Sequence, residues 1–175
     1  MGPRLRKAVL VVHVLSSVGW FGSVGAFLAL ALVGLLSEDR QLVAAVYVGA
    51  RLVTWWVIVP LGFLALVSGV IQSLGTQWGL VRHYWVLIKL VLTTGSLVLL
   101  LVHLRVIDST AEHRMGAAAV HGADEFDAMR LQLVVDSAAA LVVLIVATLL
   151  SILKPRGQTP FGQPRLADAA NARAG

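Results

Sequence analysis

The chain has 175 residues, 58% hydrophobic and 13% charged, with no cysteine and a formal net charge of +5. Soluble domains carry about 25% charged residues, so half the usual polar coat is missing and a soluble globular fold is excluded. The lack of cysteine removes disulfide frameworks, thiolate metal sites and cysteine nucleophiles. The Lys and Arg residues gather at the edges of apolar runs, not on an aromatic-studded basic face, which argues against a nucleic-acid partner.

A bilayer core about 30 Å thick takes about 20 apolar residues per helix. Four stretches meet that need: 8–36, 43–74, 84–106 and 131–153. The sequence therefore predicts an all-α, four-transmembrane-helix bundle over 1–153, with the lipid bilayer as its first partner. A basic Met1 to Lys7 and a loosely cleavage-like Val24-Gly25-Ala26 resemble a secretory signal. The apolar run to Leu36, however, outlasts a signal core of about 7–15 residues, so the segment reads as the first span.

The second stretch holds Arg51 early and Pro60 near its middle, which predicts a kink or tilt. Short connections at Ser37 to Gln41 and at 75–83 make antiparallel hairpins of spans one to three. Between the third and fourth spans, Arg105 to Arg130 reads as a mildly acidic external segment with a mobile stretch after Met115 and loop histidines His113 and His121. Asp124 to Asp127 are suited to open the last helix, since acidic residues favour a helix N-terminus. Proline and glycine after Lys154 stop that helix and leave 154–175 as a flexible basic tail.

Basic loop residues are retained on the cytoplasmic side. Arg4, Arg6, Lys7, Arg82, Lys154, Arg156, Arg165 and Arg173 fall on one side of the four spans, and Arg40, Arg105, Arg114 and Arg130 on the other. Eight against four puts both termini in the cytoplasm of a cell with a multi-pass inner membrane, the bacterial arrangement.

Ionisable groups inside a span cost about 2.5–3.5 kcal/mol on insertion scales and so mark pairing or function. His13, Arg51, Lys89 and Asp136 are such groups, and His103 lies near the outer end of its span. Thr93, Ser96 and His103 follow Lys89 by 4, 7 and 14 residues and fall within about 40° of one helical line. Ser17 and Trp20 follow His13 by 4 and 7 residues and form a second polar stripe. Matching depths near the cytoplasmic surface predict that His13 and Lys89 share an internal site, walled by Trp20 and flanked by Ser17 and Thr93. His13 alone also suits a simple hydrogen bond to serine or backbone, and Lys89 also suits snorkelling toward headgroups. His83 sits at the boundary. On the outer side Arg51 and Asp136 are expected to form a structural ion pair, with Arg51 or His103 receiving a ligand's anionic group as the alternative.

His13 followed by Trp20-Phe21-Gly22, and Trp85-Val86-Leu87-Ile88-Lys89-Leu90 opening a later helix, resemble the HemJ type of membrane protoporphyrinogen oxidase and the related CopD-like copper-resistance proteins. The resemblance covers the first and third spans. It implies haem b, with His13 as axial iron ligand or porphyrin-site residue, Lys89 as partner of propionates or substrate, and His83 as a second candidate ligand. It departs at Ala29 and Leu87, where HemJ proteins carry arginine and histidine. The closing segment from Leu153 to Pro160 resembles a family of uncharacterised bacterial integral membrane proteins of similar length.

Three functions follow: a haem- or porphyrin-binding redox protein, an accessory membrane subunit without chemistry, and a CopD-like metal or small-solute permease. Copper fits poorly, because Met1, Met115 and Met129 lie outside the spans and soft thiolates are absent. Small residues at Gly22, Gly25, Gly62, Gly69 and Ser137 to Ala140 allow close helix contact within the chain, in a homo-oligomer or in a larger complex.

Overall fold

The computed structural model describes residues 2–75, 84–114 and 123–153. Among them the fold is all-helical: α1 (Pro3–Leu36), α2 (Arg40–Val53), a π turn (Thr54–Ile58), α3 (Val59–Leu74), α4 (Tyr84–Arg114) and α5 (Ala123–Leu153). Four helical lines, Pro3–Leu36, Arg40–Leu74, Tyr84–Leu104 and Asp127–Leu153, are long and apolar enough to cross a membrane. The chain is thus built as a multi-pass membrane protein, with the spans where hydropathy predicts them.

Pro3 stands in the first turn of α1, where its missing N–H leaves no bond unmade. The 34 residues of α1 extend about 51 Å, so its ends reach past a 30 Å hydrocarbon layer. Asp39 caps α2 by accepting from the backbone N–H groups of Gln41 at 2.9 Å and Leu42 at 3.3 Å.

The irregularity expected at Pro60 lies just before it. Proline cannot donate to the carbonyl four residues back, and the ladder is shifted there, Val59 N–H reaching Thr54 O five residues away. Thr54, fully buried, returns its hydroxyl to Ala50 O at 2.8 Å.

The spans pack in a ring, each on its neighbours in chain order, with α5 closing back on α1. Among the described residues the diagonal helices keep their backbones apart, α1 from α4 and α2 and α3 from α5. The core follows one stripe of α1, Trp20, Val24, Phe27 and Ala31, against Val43, Tyr47 and Ala50 of α2 and Leu133 and Leu144 of α5. Lipid tails are as apolar as leucine, so such contacts stabilise through close packing. Gly34 shows how close: a Cβ there would stand 2.6 Å from Cζ of Tyr47.

The bundle has a terminal end, where α1 and α4 begin and α3 and α5 finish, and a loop end at the other extreme. At the loop end Arg130 of α5 donates to the carbonyls of Gly34 and, at 2.7 Å, Leu35 in the last turn of α1, and pairs with Asp127 at 3.0 Å. It thereby serves carbonyls that have no partner within their own helix.

Two expectations change here. The third helix runs past its apolar core, so His113, expected in a loop, lies on α4, whereas Asp124 to Asp127 stand in the opening turns of α5, which begins at Ala123, as expected. The Arg51 and Asp136 expected to pair are on helices that do not meet. Arg51 of α2 pairs with Asp108 of α4 at 2.8 Å, and Asp136 of α5 faces His103 Nε2 at 3.6 Å. His83, His121, the stretch after Met115 and the tail 154–175 lie outside the described residues.

Candidate functional site

A groove of about 680 Å³ occupies the terminal half of the bundle. It falls within the 300–1,000 Å³ typical of small-molecule and cofactor sites. Every described residue of the predicted site lines it: His13, Ser17 and Trp20 from α1, and Lys89 and Thr93 from α4. The two helices sit diagonally, so the polar stripes face each other across the interior without backbone contact.

His13 is fixed by α3. Its Nδ1 lies 3.0 Å from Ala65 O and 3.1 Å from Ser68 Oγ. A carbonyl can only accept, and the Ser68 hydroxyl spends its proton on Leu64 O at 2.6 Å. Nδ1 therefore carries the hydrogen and is shared between two acceptors. The other ring nitrogen, Nε2, holds its lone pair and has no partner among the described residues, on a ring that lines the groove. Gly69 makes room for the ring, since a Cβ there would stand 3.0 Å from Cε1.

Lys89 donates to Ser151 Oγ of α5 at 2.8 Å, and Thr93 returns its hydroxyl to Lys89 O at 2.9 Å. No carboxylate pairs with Lys89 among the described residues. The sequence explains why: between Met1 and Ser37, and again from Arg40 to Ile107, it has no Asp or Glu at all. Trp20 is 4% exposed, lies against Gly62, and its buried indole Nε1 has no acceptor among the described residues. A buried donor left unmade costs about 1–3 kcal/mol.

Sequence reasoning missed Ser68, Gly69 and Ser73 on α3 and Ser151 on α5. Their signal was present, because Ala65, Ser68, Gly69 and Ser73 recur at helical spacing on one face of α3.

The loop end handles its charges differently. Asp108 takes both Arg51 and, at 3.1 Å, the Trp55 indole N–H. His103 gives Nδ1 to Leu99 O at 2.8 Å and turns Nε2 toward Asp136. Arg51 and His103, considered as receivers of a ligand anion, thus already face carboxylates of the chain. His103 stands 14 residues beyond Lys89 on α4, about 21 Å along the axis, and is no part of the groove.

Among the described residues no three His, Cys, Asp or Glu side chains gather as a multi-ligand metal site would need. Iron in a porphyrin is different, since the macrocycle supplies four nitrogens and the protein one or two axial ligands. The chain, compared with family models, curated proteins and solved structures, finds no match in any of the three.

Proposed function

We propose that this membrane protein binds haem b, or a closely related porphyrin, in the terminal groove and serves in electron transfer or oxidation, as the HemJ resemblance suggests. The observation that carries the reading is the His13 ring. Metal-ligating histidines typically give one ring N–H to a backbone carbonyl, which fixes the tautomer and frees the other nitrogen for the metal. His13 has that arrangement, with Ala65 O as the acceptor and Nε2 unengaged.

When bound, haem supplies one-electron iron chemistry whose potential the axial ligand and surroundings set. The chain's own part is binding and electrostatics. His13 would hold the iron, and Lys89 would offset carboxylate charge at the groove. Trp20, Phe21 and Trp85 present aromatic surface that excludes water. His83 stands in this reading as a second axial ligand.

We further infer that the terminal end is cytoplasmic, from the eight-to-four distribution of basic residues. Labelling of single cysteines placed after Arg156 and at Gly116 checks it, and external labelling after Arg156 overturns it.

An absorption spectrum of the purified protein tests the haem reading. A Soret band is expected, abolished or weakened more than tenfold by His13→Ala, weakened less by Lys89→Ala and unchanged by His121→Ala. No Soret band after haem loading, or one indifferent to His13→Ala, would leave an accessory subunit as the better reading.

A further inference from the structure

The groove is not a closed chamber. Its polar side chains, His13, Ser17, Lys89, Thr93 and Ser151, stand among apolar neighbours, and one long side is formed by apolar residues that face outward: Val14, Val18 and Phe21 of α1, and Ile145 and Leu149 of α5, each between 42% and 65% exposed. The lining residues of α3 and α4, by contrast, are half-buried or buried. The α1–α5 seam is clamped at the loop end by Arg130 on the Gly34 and Leu35 carbonyls. At the other end, from Val18 and Ile145 onward, the same two helices frame the groove. Around these residues a membrane puts acyl chains, not water.

Among the described residues the charges in this half are of one sign. Arg6 and Lys89 line the groove, and the acid-free segments from Met1 to Ser37 and from Arg40 to Ile107 provide three of its four walls. The fourth wall, from Ser137 to Leu153, has no Asp or Glu either. An ammonium in low dielectric, with a hydroxyl as its side-chain partner among the described residues, lacks the counter-charge that makes such burial tolerable. An anionic occupant would supply it.

We propose that the groove is loaded sideways from the lipid, through the α1–α5 seam, by an amphiphilic carboxylate whose anionic group is received at Lys89. This rests on the groove being the binding site, and a propionate-bearing porphyrin is one member of the class. It adds an entry route and a chemical requirement that hold whether or not iron is present. A two-chain anionic phospholipid fits less well, because its acyl chains would lie against His13, Ser17, Thr93 and Ser151 at the polar back of the groove.

The test uses the full chain, made in a haem-starved host and placed in nanodiscs of phosphatidylcholine. The probes are palmitic acid carrying a chain diazirine and the matching fatty alcohol, with cross-links mapped by mass spectrometry. Labelling by the acid is expected to concentrate on Val14, Val18, Ile145 and Leu149, and to exceed that by the alcohol. Lys89→Gln should reduce it roughly tenfold, the loss of one charge-assisted contact. Val18→Trp should reduce it by obstructing the seam. Ser151→Asp, which supplies an internal anion beside Nζ, should reduce it with Lys89 still present, and serves as the decisive variant if Lys89→Gln does not fold. Labelling that spreads evenly to Leu52 and Val135, ignores Lys89, or is equal for acid and alcohol overturns the proposal. So does equally potent displacement by phosphatidylglycerol, which would make the groove a headgroup site for bulk lipid. Soret absorption after haem loading separates the two readings: Lys89-dependent labelling without a Soret band ends the haem reading alone, and a His13-dependent Soret band with uniform labelling ends this one alone.

Discussion

The two ends of this bundle treat charge in opposite ways. At the loop end three described side chains meet acceptors of the chain: Arg51 on Asp108, His103 facing Asp136, and Arg130 on Asp127 and two helix-end carbonyls of α1. At the terminal end Lys89 meets a serine hydroxyl and His13 keeps one nitrogen without a partner among the described residues, on helical segments whose sequence has no acid. Charges that hold a fold together find partners within it, and removing one partner leaves a cost. Charges kept without a counter-ion are positioned for something from outside. The contrast therefore separates a structural end from a binding end, on grounds independent of any resemblance.

The sharpest way to break this contrast is at the loop end. Arg130→Ala removes two charge-assisted bonds to the α1 carbonyls and is expected to destabilise by about 2–3 kcal/mol. Thermal unfolding of the detergent-solubilised protein measures it, and an unshifted midpoint would mean that the clamp is ornamental. Gly34→Ala sets a methyl against Tyr47 in the same region, where overpacking costs about 1–3 kcal/mol. Relief by a second substitution, Tyr47→Leu, which removes the ring atom 2.6 Å and the oxygen 2.7 Å from that Cβ position, would identify the clash as the cause.

Asp108→Asn leaves Arg51 without its carboxylate. Both side chains are partly exposed, 37% and 28%, so the loss should be about 1–2 kcal/mol, below the 3–5 kcal/mol of a fully buried pair. The smallest expected effect on stability belongs to the terminal end. Lys89→Gln removes a charge that no carboxylate balances and keeps a group able to bond Ser151, so unfolding should move by no more than about 0.5 kcal/mol. A loss as large as that of Arg130→Ala would place Lys89 among the structural charges and remove the distinction between the ends.

Much of the architecture was legible before any coordinates. The four spans follow from apolar run length, and the stripes of His13, Ser17 and Trp20 and of Lys89 and Thr93 follow from helical spacing; all five residues line one groove. The ion pairing was not legible. Depth along the membrane normal made Asp136 a plausible partner for Arg51, but α2 packs on α4 and not on α5, and α4 continues past its apolar core to bring Asp108 into reach.

The sequence by itself determined what is local or additive: span length and number, which residues share a helical face, and the absence of Asp and Glu from Arg40 to Ile107. These depend on a 3.6-residue period and on composition, which need no knowledge of neighbours. Only the tertiary structure decided which faces meet. It assigned Ala65 and Ser68 to His13, Ser151 to Lys89, Asp108 to Arg51 and the α1 carbonyls to Arg130, and it framed the seam between α1 and α5. The rotation and axial offset of one helix against another are set by interdigitating side chains from distant parts of the chain, so no single segment carries them.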